Sequence, residues 1–354
     1  MISLKFMPGK IYKSHFKSFL IILAFVFSFG VSSIYSQTPP PFPPKVQTPP
    51  APPKRKLQIP ARRKNRSDIP SEKLIVVDAK VNVKLCVSEG RLKINGWERD
   101  EIRAIVAGGS RVGFKILQKS RQSGVPVWVS VVEAQLSDTD NANPEGCLSG
   151  EVIELDVPRN AVVSVKSGES ETVIDSVGKV DIQNRGGNIL LSNIRQGIEA
   201  RNYEGGITVA NSSGAISLAT TTGNIVVVDA APGEIGDAFK AKTNSGAVVL
   251  QKIGHRQVEA GSISGSIKFA GEILNGGQYN FKALNGSINL LIPQNSSCKI
   301  YASYGSGAFS SEMLLLNIIK SAPSNAQNLS AQLGAGDASL NLSTYSGAIQ
   351  IKKQ

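Results

Sequence analysis

The chain has 354 residues, of which 41% are hydrophobic and 19% charged, an ordinary composition for a globular protein. Its net charge of +12 is unevenly spread: residues 1–36 carry four lysines and no acid, residues 37–71 carry a net +7, and residues 72–354 hold 27 basic and 26 acidic side chains. The expected folded part is nearly neutral and has no basic patch with interleaved aromatic residues, which argues against nucleic acid as a partner.

Residues 1–36 have the order of segments found in a secretory signal. Lysines at positions 5–17 precede an apolar run from Phe19 to Val31, and small polar residues follow. This order predicts cleavage between Ser36 and Gln37. The alternative is an uncleaved membrane anchor, because the 17 residues from Phe19 to Tyr35 reach the lower limit for spanning a bilayer. Positive charge stays on the cytoplasmic side, so both versions predict export to the periplasm or the cell surface.

Residues 37–71 are predicted to be a disordered, proline-rich basic linker. Eleven of the 18 prolines lie between positions 38 and 70. Proline fixes φ and lacks a backbone N–H, so this composition predicts an extended tether and neither a sheet nor a helix. The basic residues between Lys54 and Arg66 would be attracted to an anionic membrane surface or to an acidic envelope polymer. The alternative is a solvated spacer without a partner.

The three cysteines suit neither a disulfide framework nor a metal site, because none belongs to a Cys-x-x-Cys pair and the chain has only two histidines. In an oxidising compartment Cys86 and Cys147 would pair and leave Cys298 free. The alternative is three buried, unpaired cysteines that act as small apolar residues. We expect no metal and no cofactor.

Residues 72–166 predict an N-terminal β segment of short strands. Apolar and polar residues alternate in Arg91–Asn95 and Val127–Val131, which is typical of strands with one buried face. Trp97 and Trp128 are expected to cover a sheet or to enter the core. The polar loop of residues 135–150 does not match a calcium loop, because the spacing of an EF-hand fails in it.

Residues 167–354 contain a repeated unit: glycine, any residue, an aliphatic residue, any residue, an apolar residue. An example is Gly205-Gly-Ile-Thr-Val209, and in places the copies follow one another at steps of nine residues. The units begin at Gly90 in the earlier segment and then at Gly178, Gly187, Gly205, Gly214, Gly223, Gly246, Gly265, Gly286 and Gly347.

The unit has a simple physical interpretation. Side chains alternate along a strand, so the third and fifth residues of each unit point to the same face. Glycine supplies the positive φ that a tight turn before each strand requires. One unit cannot bury its apolar face alone, so stacked copies must share a core. The sequence therefore predicts an all-β, β-solenoid-like stack.

An insertion at about residues 310–330 interrupts the repeat. The run from Glu312 to Lys320 predicts a short helix, and a polar loop follows it. We expect this element either to cap an exposed strand edge or to form a surface for a partner.

Groups for catalysis or calcium binding are not apparent in the pattern. The repeats lack the aspartates that a calcium-binding β-roll needs in each copy. Glycoside hydrolysis needs two converging carboxylates, and the candidates Glu98, Asp100, Glu101 and Asp175 show no sign of convergence. His255, the only histidine outside the leader, is predicted to be a turn residue. We therefore predict no catalytic residues and no enzyme.

The ladder of Ser/Thr/Asn-Gly-x-Ile-x-Leu units from Gly178 to Gly286 resembles the bacterial putative-adhesin family of β-strand repeats. The entry strand Asp156–Lys166, the closing segment Leu340–Ile351 and the segment Gly90–Arg103, which looks like the family's first strand pair, extend this resemblance to about residues 72–354. The resemblance implies a β-solenoid-like fold and a location in the cell envelope, and it carries over no catalytic residues.

Three functions follow from these observations. The first is an exported adhesin-like binding or structural module that contacts an envelope polymer or protein. The second is an envelope-stress or regulatory accessory protein held near the membrane by the basic linker. The third is a carbohydrate-active enzyme built on a β-helix, and the first is our prediction.

Overall fold

The computed structural model describes residues 70–134, 146–234, 236–322 and 327–354. These residues form β-strands and no helix, which confirms the predicted all-β fold. The strands are β1 (Ser71–Val76), β2 (Asn82–Trp97), β3 (Glu101–Ala107), β4 (Val112–Lys119), β5 (Pro126–Glu133), β6 (Leu148–Pro158), β7 (Val162–Asp175), β8 (Lys179–Gly186), β9 (Ile189–Ser192), β10 (Ile198–Glu204), β11 (Ile207–Ser213), β12 (Ile216–Thr222), β13 (Ile225–Ala231), β14 (Ala238–Ser245), β15 (Val248–Ile253), β16 (Gln257–Ser264), β17 (Ile267–Ala270), β18 (Gln278–Asn285), β19 (Ile288–Ile292), β20 (Cys298–Tyr304), β21 (Phe309–Ser311), β22 (Leu316–Ser321), β23 (Gln327–Leu333), β24 (Ala338–Ser346) and β25 (Ile349–Lys353).

One coil of the stack contains two strands, so a single sequence unit is half a coil. Strand β10 pairs in parallel with β8 and β12, whereas β11 pairs in parallel with β9 and β13. Ile207 therefore lies beside Ile225, 18 residues later. The next coil is longer and places Val248 beside Ile225. Coils of different length stay in register because the additional residues lie in the connections between strands.

The strands form two parallel sheets that we name the first and the second sheet. The first contains β8, β10, β12, β14, β16, β18, β24 and β20 in spatial order, and the second contains β9, β11, β13, β15, β17, β19, β25 and β21. Strands β2 and β7 run through both sheets, since β7 pairs with β8 along its first half and with β9 along its last residues. The expected boundary between residues 166 and 167 lies inside β7, so the backbone pairing is continuous across it.

The third and fifth residues of each unit belong to the core, as the alternation predicted. All twenty of these side chains are at most 2% exposed. They are Leu92, Ile94, Val180, Ile182, Ile189, Leu191, Ile207, Val209, Ile216, Leu218, Ile225, Val227, Val248, Leu250, Ile267, Phe269, Ile288, Leu290, Ile349 and Ile351. Their burial between the two sheets supplies the hydrophobic driving force for stacking the coils.

The unit glycines are required for two reasons, of which the sequence indicated one. Gly205 has φ of 119°, a conformation that disfavours other residues. A Cβ at Gly205 would also collide with the carbonyl of Gly187 in the preceding coil. Gly286 lacks the left-handed φ that we expected, and there only the collision of a Cβ with the carbonyl of Gly265 excludes a side chain. Close approach of successive coils therefore selects glycine along this corner.

At the N-terminal end, strands outside the repeat cover the edge of the stack. Strands β5 and β6 pair in parallel with β2, and β4, β3 and β1 add antiparallel strands beyond them. A disulfide joins Cys86 on β2 to Cys147, which lies next to β6, with the two Cα atoms 4.6 Å apart. A crosslink across 61 residues would stabilise the fold by about 4 kcal/mol through the entropy of the unfolded chain.

At the C-terminal end the chain folds back into its own stack. Strand β24 lies between β18 and β20, and β25 lies between β19 and β21, although β20 and β21 come earlier in the sequence. The last coil in space is therefore β20 and β21, whose first-sheet edge is covered by β23 and then by β22.

The prediction of a helix from Glu312 to Lys320 is wrong. Leu316–Ser321 is a strand, and it pairs antiparallel with β23. The open edge of β20 presents backbone groups that need hydrogen-bond partners, and a strand hairpin satisfies them where a helix does not. The inserted segment does cover a strand edge, as we expected of it.

Candidate functional site

The outer surface of the first sheet carries charged side chains along its middle coils. Lys240 on β14 and Glu259 on β16 are direct neighbours, and Glu259 pairs with Lys240 at 3.5 Å and with Lys242 at 2.5 Å. The hydrogen bond from Lys242 and the charges of both lysines lower the pKa of Glu259, although partial burial opposes them. These ion pairs are exposed to solvent, so they contribute little to stability.

The outer surface of the second sheet is mainly aliphatic from β9 to β15. One outward row contains, in spatial order, Leu190, Thr208, Val226 and Val249. Leu190 is 43% exposed, because no further layer of the described residues covers this face of the sheet. A shallow depression of about 360 Å³ lies farther along this surface, where Leu291 and Lys268 contribute to its lining. This surface offers apolar contact and carries few charges.

Asp175, one of the candidate carboxylates, has a structural environment. It accepts hydrogen bonds from the hydroxyls of Ser176 and Ser192 and from the amide of Asn193. Burial alone would raise the pKa of Asp175, but the three hydrogen bonds outweigh it and lower that pKa. A carboxylate held in its ionised form by three donors is poorly suited to act as a general acid.

Of the other candidate carboxylates, Glu98 and Asp100 lie in the turn between β2 and β3, and Glu101 begins β3. Glu98 forms an ion pair with Arg159 at 2.8 Å. The backbone carbonyl of Glu101 accepts a hydrogen bond from the indole of Trp97, and that of Asp100 accepts one from the amide of Val77. These contacts hold the turn against its neighbours, and the charge of Arg159, the partner of Glu98, also lowers the pKa of Asp175.

A second polar cluster surrounds Trp97 at the N-terminal end. The guanidinium of Arg103 donates two hydrogen bonds to Asp156, which also accepts one from Asn95. The hydrogen bond and charge of Asp156 raise the pKa of Arg103. The guanidinium groups of Arg99 and Arg103 lie 5.1 and 5.6 Å from the ring centre of Trp97. Trp97 is half-buried and Trp128 is exposed, so both cover sheet surfaces.

His255 lies in a connection between strands, as predicted, but it is fully buried. Its Nε2–H donates a hydrogen bond of 2.8 Å to the carbonyl of Gly214, and its ring lies 5.7 Å from that of Phe239. The Nδ1 atom has no hydrogen-bond partner in the described part of the chain. Burial lowers the pKa of His255 more than the Gly214 hydrogen bond and the charge of Asp237 raise it. A neutral histidine enclosed in this way has a structural role.

Cys298 is a free, fully buried cysteine. Burial raises the pKa of its thiol to about 11, so the reactive thiolate is scarce at neutral pH. Among the described residues, no group of three or more His, Cys, Asp or Glu side chains is arranged to hold a metal ion.

Several predicted features lie outside the described residues. They are the signal segment with its cleavage point at Ser36 and Gln37, the basic cluster of the linker, and residues 135–145 of the polar loop that we compared with a calcium site. Within the part of the chain that the structure describes, no helix is long and apolar enough to cross a membrane.

Sequence reasoning missed a ladder of buried polar side chains at the corner between the two sheets. Asn202, Thr220, Thr243 and Ser262 each donate a hydrogen bond to a glycine carbonyl of the coil before. The sequence does contain a sign of this ladder, because a polar residue stands three positions before most unit glycines. The predicted unit ended at its fifth residue and gave this position no role, although alternation also places it on the inward face of the strand.

Three solved structures are similar to this chain at low identity. A putative cell adhesion protein from Clostridium sporogenes is 14% identical, covers 81% of this chain and 100% of its own, and has a TM-score of 0.24. A putative adhesin from Bacteroides fragilis is 11% identical, with 81% and 98% covered and a TM-score of 0.37. One from Parabacteroides distasonis is 12% identical, with 63% and 93% covered and a TM-score of 0.31.

No curated protein matches the chain. The model of the family described as Toastrack DUF4097 matches residues 151–352. That match begins in β6 and includes every coil from β7 to β25. It thus covers more than half of the chain, and the protein belongs to the Toastrack DUF4097 family.

Proposed function

We propose that the protein is an exported, non-enzymatic binding module of the cell envelope, similar to an adhesin, which the proline-rich linker holds away from the membrane. The observation that carries this proposal is the alternation within the strands. In each unit the inward residues serve the shared core, so the outward residues of both sheets are available for contacts. The result is two open surfaces with different chemistry, one with charged side chains in its middle coils and one with an aliphatic area from β9 to β15.

The disulfide supports the exported part of this proposal. Disulfides persist in oxidising compartments and are rare in the bacterial cytoplasm. Cys86 and Cys147 lie at a separation suited to a bridge, and the only other cysteine, Cys298, is buried away from them. This agrees with the secretory pattern of residues 1–36.

The contacts of the candidate acids support a non-enzymatic function. Asp175 and Glu98 are each engaged by hydrogen bonds or an ion pair with neighbouring side chains. His255 is enclosed and has no path to a substrate. General acid–base catalysis needs a titratable group that can reach the reacting atoms, and these residues do not meet that requirement.

The test is a binding assay on isolated envelope fractions. The full chain and a variant without residues 38–70 would be incubated with cell-wall and membrane fractions, and the bound protein would be measured after sedimentation. We expect both proteins to sediment with the cell-wall fraction, because the folded part carries the binding surfaces.

Two results would argue against this proposal. Loss of all association after removal of residues 38–70 would assign binding to the linker and favour a membrane-held accessory function. Failure of the full chain to bind any envelope fraction would overturn the binding function itself. An unrelated exported protein fused to residues 38–70 serves as the control for adhesion by the linker alone.

A further inference from the structure

Five neighbouring strands at the C-terminal end of the first sheet form a surface that no repeat unit predicts. Their spatial order is β18, β24, β20, β23 and β22. One outward row crosses all five strands, because the registers place each residue beside the next. The row contains Asn280, Asn341, Tyr301, Ser330 and Ile319.

A second outward row lies two residues along the same strands. It contains Lys282, Ser343, Ser303, Asn328 and Ser321. Both rows line one open depression of about 380 Å³, which lies within the range of roughly 300–1,000 Å³ for small-molecule sites. We name these ten residues the C-terminal platform.

The platform differs in charge from the rest of the first sheet. On β14 and β16, Glu259 forms ion pairs with Lys240 and Lys242. Nine of the ten platform residues are uncharged, and Lys282 makes no ion pair with another described residue. A highly charged partner would find little electrostatic complementarity here, whereas hydroxyl and amide groups suit a neutral, hydrogen-bonding partner.

Tyr301 provides an aromatic surface in the centre of the first row. It is 47% exposed and lies between Asn341 and Ser330 on the adjacent strands. At the end of the same row, the side-chain oxygen of Asn280 is buried and accepts no hydrogen bond from the described residues. An unsatisfied buried acceptor is costly, which favours rotation of the Asn280 amide toward the depression that it lines, where a ligand hydroxyl can bond it.

The combination of an exposed ring and surrounding amides matches the chemistry of sugars. A pyranose has an apolar face of C–H groups and a rim of hydroxyls that donate and accept hydrogen bonds. An aromatic ring packs against such a face, while asparagine and serine side chains bond the rim. Strands lie about 4.8 Å apart, so the five strands extend over about 19 Å, which suits a chain of sugars better than a single one.

We propose that the C-terminal platform binds a neutral polysaccharide strand, with Tyr301 stacking on a sugar ring and Asn280 and Asn341 bonding its hydroxyls. This inference rests on the binding function proposed above and assigns its ligand class and its site. The inserted hairpin of β22 and β23 completes the depression, which gives the insertion a partner-binding role in addition to covering an edge.

The test measures binding of the full chain to three hexasaccharides by isothermal titration: cellohexaose and chitohexaose, which are neutral, and hexagalacturonate, which is acidic. The same titrations use Tyr301→Ala, Asn341→Ala and the control Tyr203→Ala. Tyr203 is also exposed, at 60%, but lies on β10 outside the platform. We expect a neutral hexasaccharide to bind, and Tyr301→Ala and Asn341→Ala to weaken it at least tenfold while Tyr203→Ala leaves it unchanged.

Three outcomes would overturn the inference: no hexasaccharide binds, only hexagalacturonate binds, or Tyr301→Ala binds as tightly as the original chain. The sedimentation assay with cell-wall fractions separates this failure from failure of the proposed function. Envelope binding that is retained in Tyr301→Ala would leave the binding module in place and exclude the platform. Circular dichroism of each variant checks that the fold is intact, and Tyr301→Phe, which keeps the ring, should retain binding.

Discussion

The hydroxyl of Thr220 donates a hydrogen bond of 3.0 Å to the carbonyl oxygen of Gly205, one coil earlier in the stack. The same relationship joins Thr243 to Gly223 and Ser262 to Gly246, in each case at 2.9 Å. These side chains are buried at the corner where the chain passes from the first sheet to the second. Each bond therefore links two coils at a position that the apolar core does not reach.

Removing one of these donors should weaken the stack. Thr220→Val keeps the shape of the side chain but leaves the Gly205 carbonyl without this donor, which should lower the free energy of unfolding by about 1–3 kcal/mol. Urea denaturation followed by circular dichroism measures the change. The control is Thr222→Val, an exposed threonine on the same strand, which should have little effect. Equal stability of the two variants would contradict the role of the corner bond.

One coil lacks the donor, and this offers a prediction of opposite sign. Ala283 lies beside Ser262 and Thr344 at the corner position. Ala283→Ser should bond the carbonyl of Gly265 and raise the free energy of unfolding by about 0.5–1.5 kcal/mol. Ala260→Ser is the matched control, because it places a hydroxyl among inward side chains of the core and should destabilise. A loss of stability in Ala283→Ser would show that this coil cannot form the hydrogen bond to the Gly265 carbonyl.

The inward face can be tested by placing a charge in it. Ile207 and Ile216 are at most 2% exposed, so Ile207→Asp or Ile216→Asp should destabilise by at least about 3–5 kcal/mol or prevent folding. Ser217→Asp changes the next residue of β12, which is exposed, and should fold. Thermal denaturation followed by far-ultraviolet circular dichroism distinguishes them. A stable Ile216→Asp would mean that this position is not in the core.

Thiol titration tests the cysteine assignments. In the native oxidised protein Cys298 is buried and its thiol has a pKa raised to about 11, so Ellman's reagent should detect no thiol at pH 8. Denaturation without reductant should expose one thiol, and reduction should expose all three. Three thiols after denaturation alone would contradict the disulfide, and one thiol in the native protein would contradict the burial of Cys298.

His255 should make stability depend on pH in a window where carboxylates do not titrate. Burial lowers its pKa in the folded state, so the unfolded state binds the proton more readily. Stability should therefore be unaffected above the ordinary histidine pKa and fall as pH decreases from about 6.5 toward 5, by at most about 1.4 kcal/mol per pH unit.

The control for this prediction is His255→Gln, which can still donate to the Gly214 carbonyl but does not titrate. Urea denaturation at pH 7.5, 6.5, 5.5 and 5.0 should give a smaller slope for this variant than for the original chain. Both proteins keep His15, so the difference between the slopes belongs to His255. Equal slopes would mean that His255 titrates normally in the folded protein.

The alternation within each unit predicted the strands that follow the unit glycines and their inward residues, whereas β14, β16 and β18 follow no unit glycine although their inward residues also belong to the core. Ile207 and Val209 share a face because side chains alternate with period two, whatever the strand pairs with. The same local rule identified Gly205 as a turn residue. The sequence also showed the candidate acids. It could not show which donors surround them, because Ser192 and Asn193 reach Asp175 from the next coil.

What the sequence by itself determined is therefore the strand unit and its inward face, since both depend only on neighbouring residues. Only the tertiary structure decided how units pair. Gly205 lies against Gly187 and Gly223, each 18 residues and two strands away, because two strands complete one coil. It also placed β24 between β18 and β20 and turned an expected helix into β22, which supplies backbone partners to the open edge of β23. The surface around Tyr301 exists only because these distant segments meet.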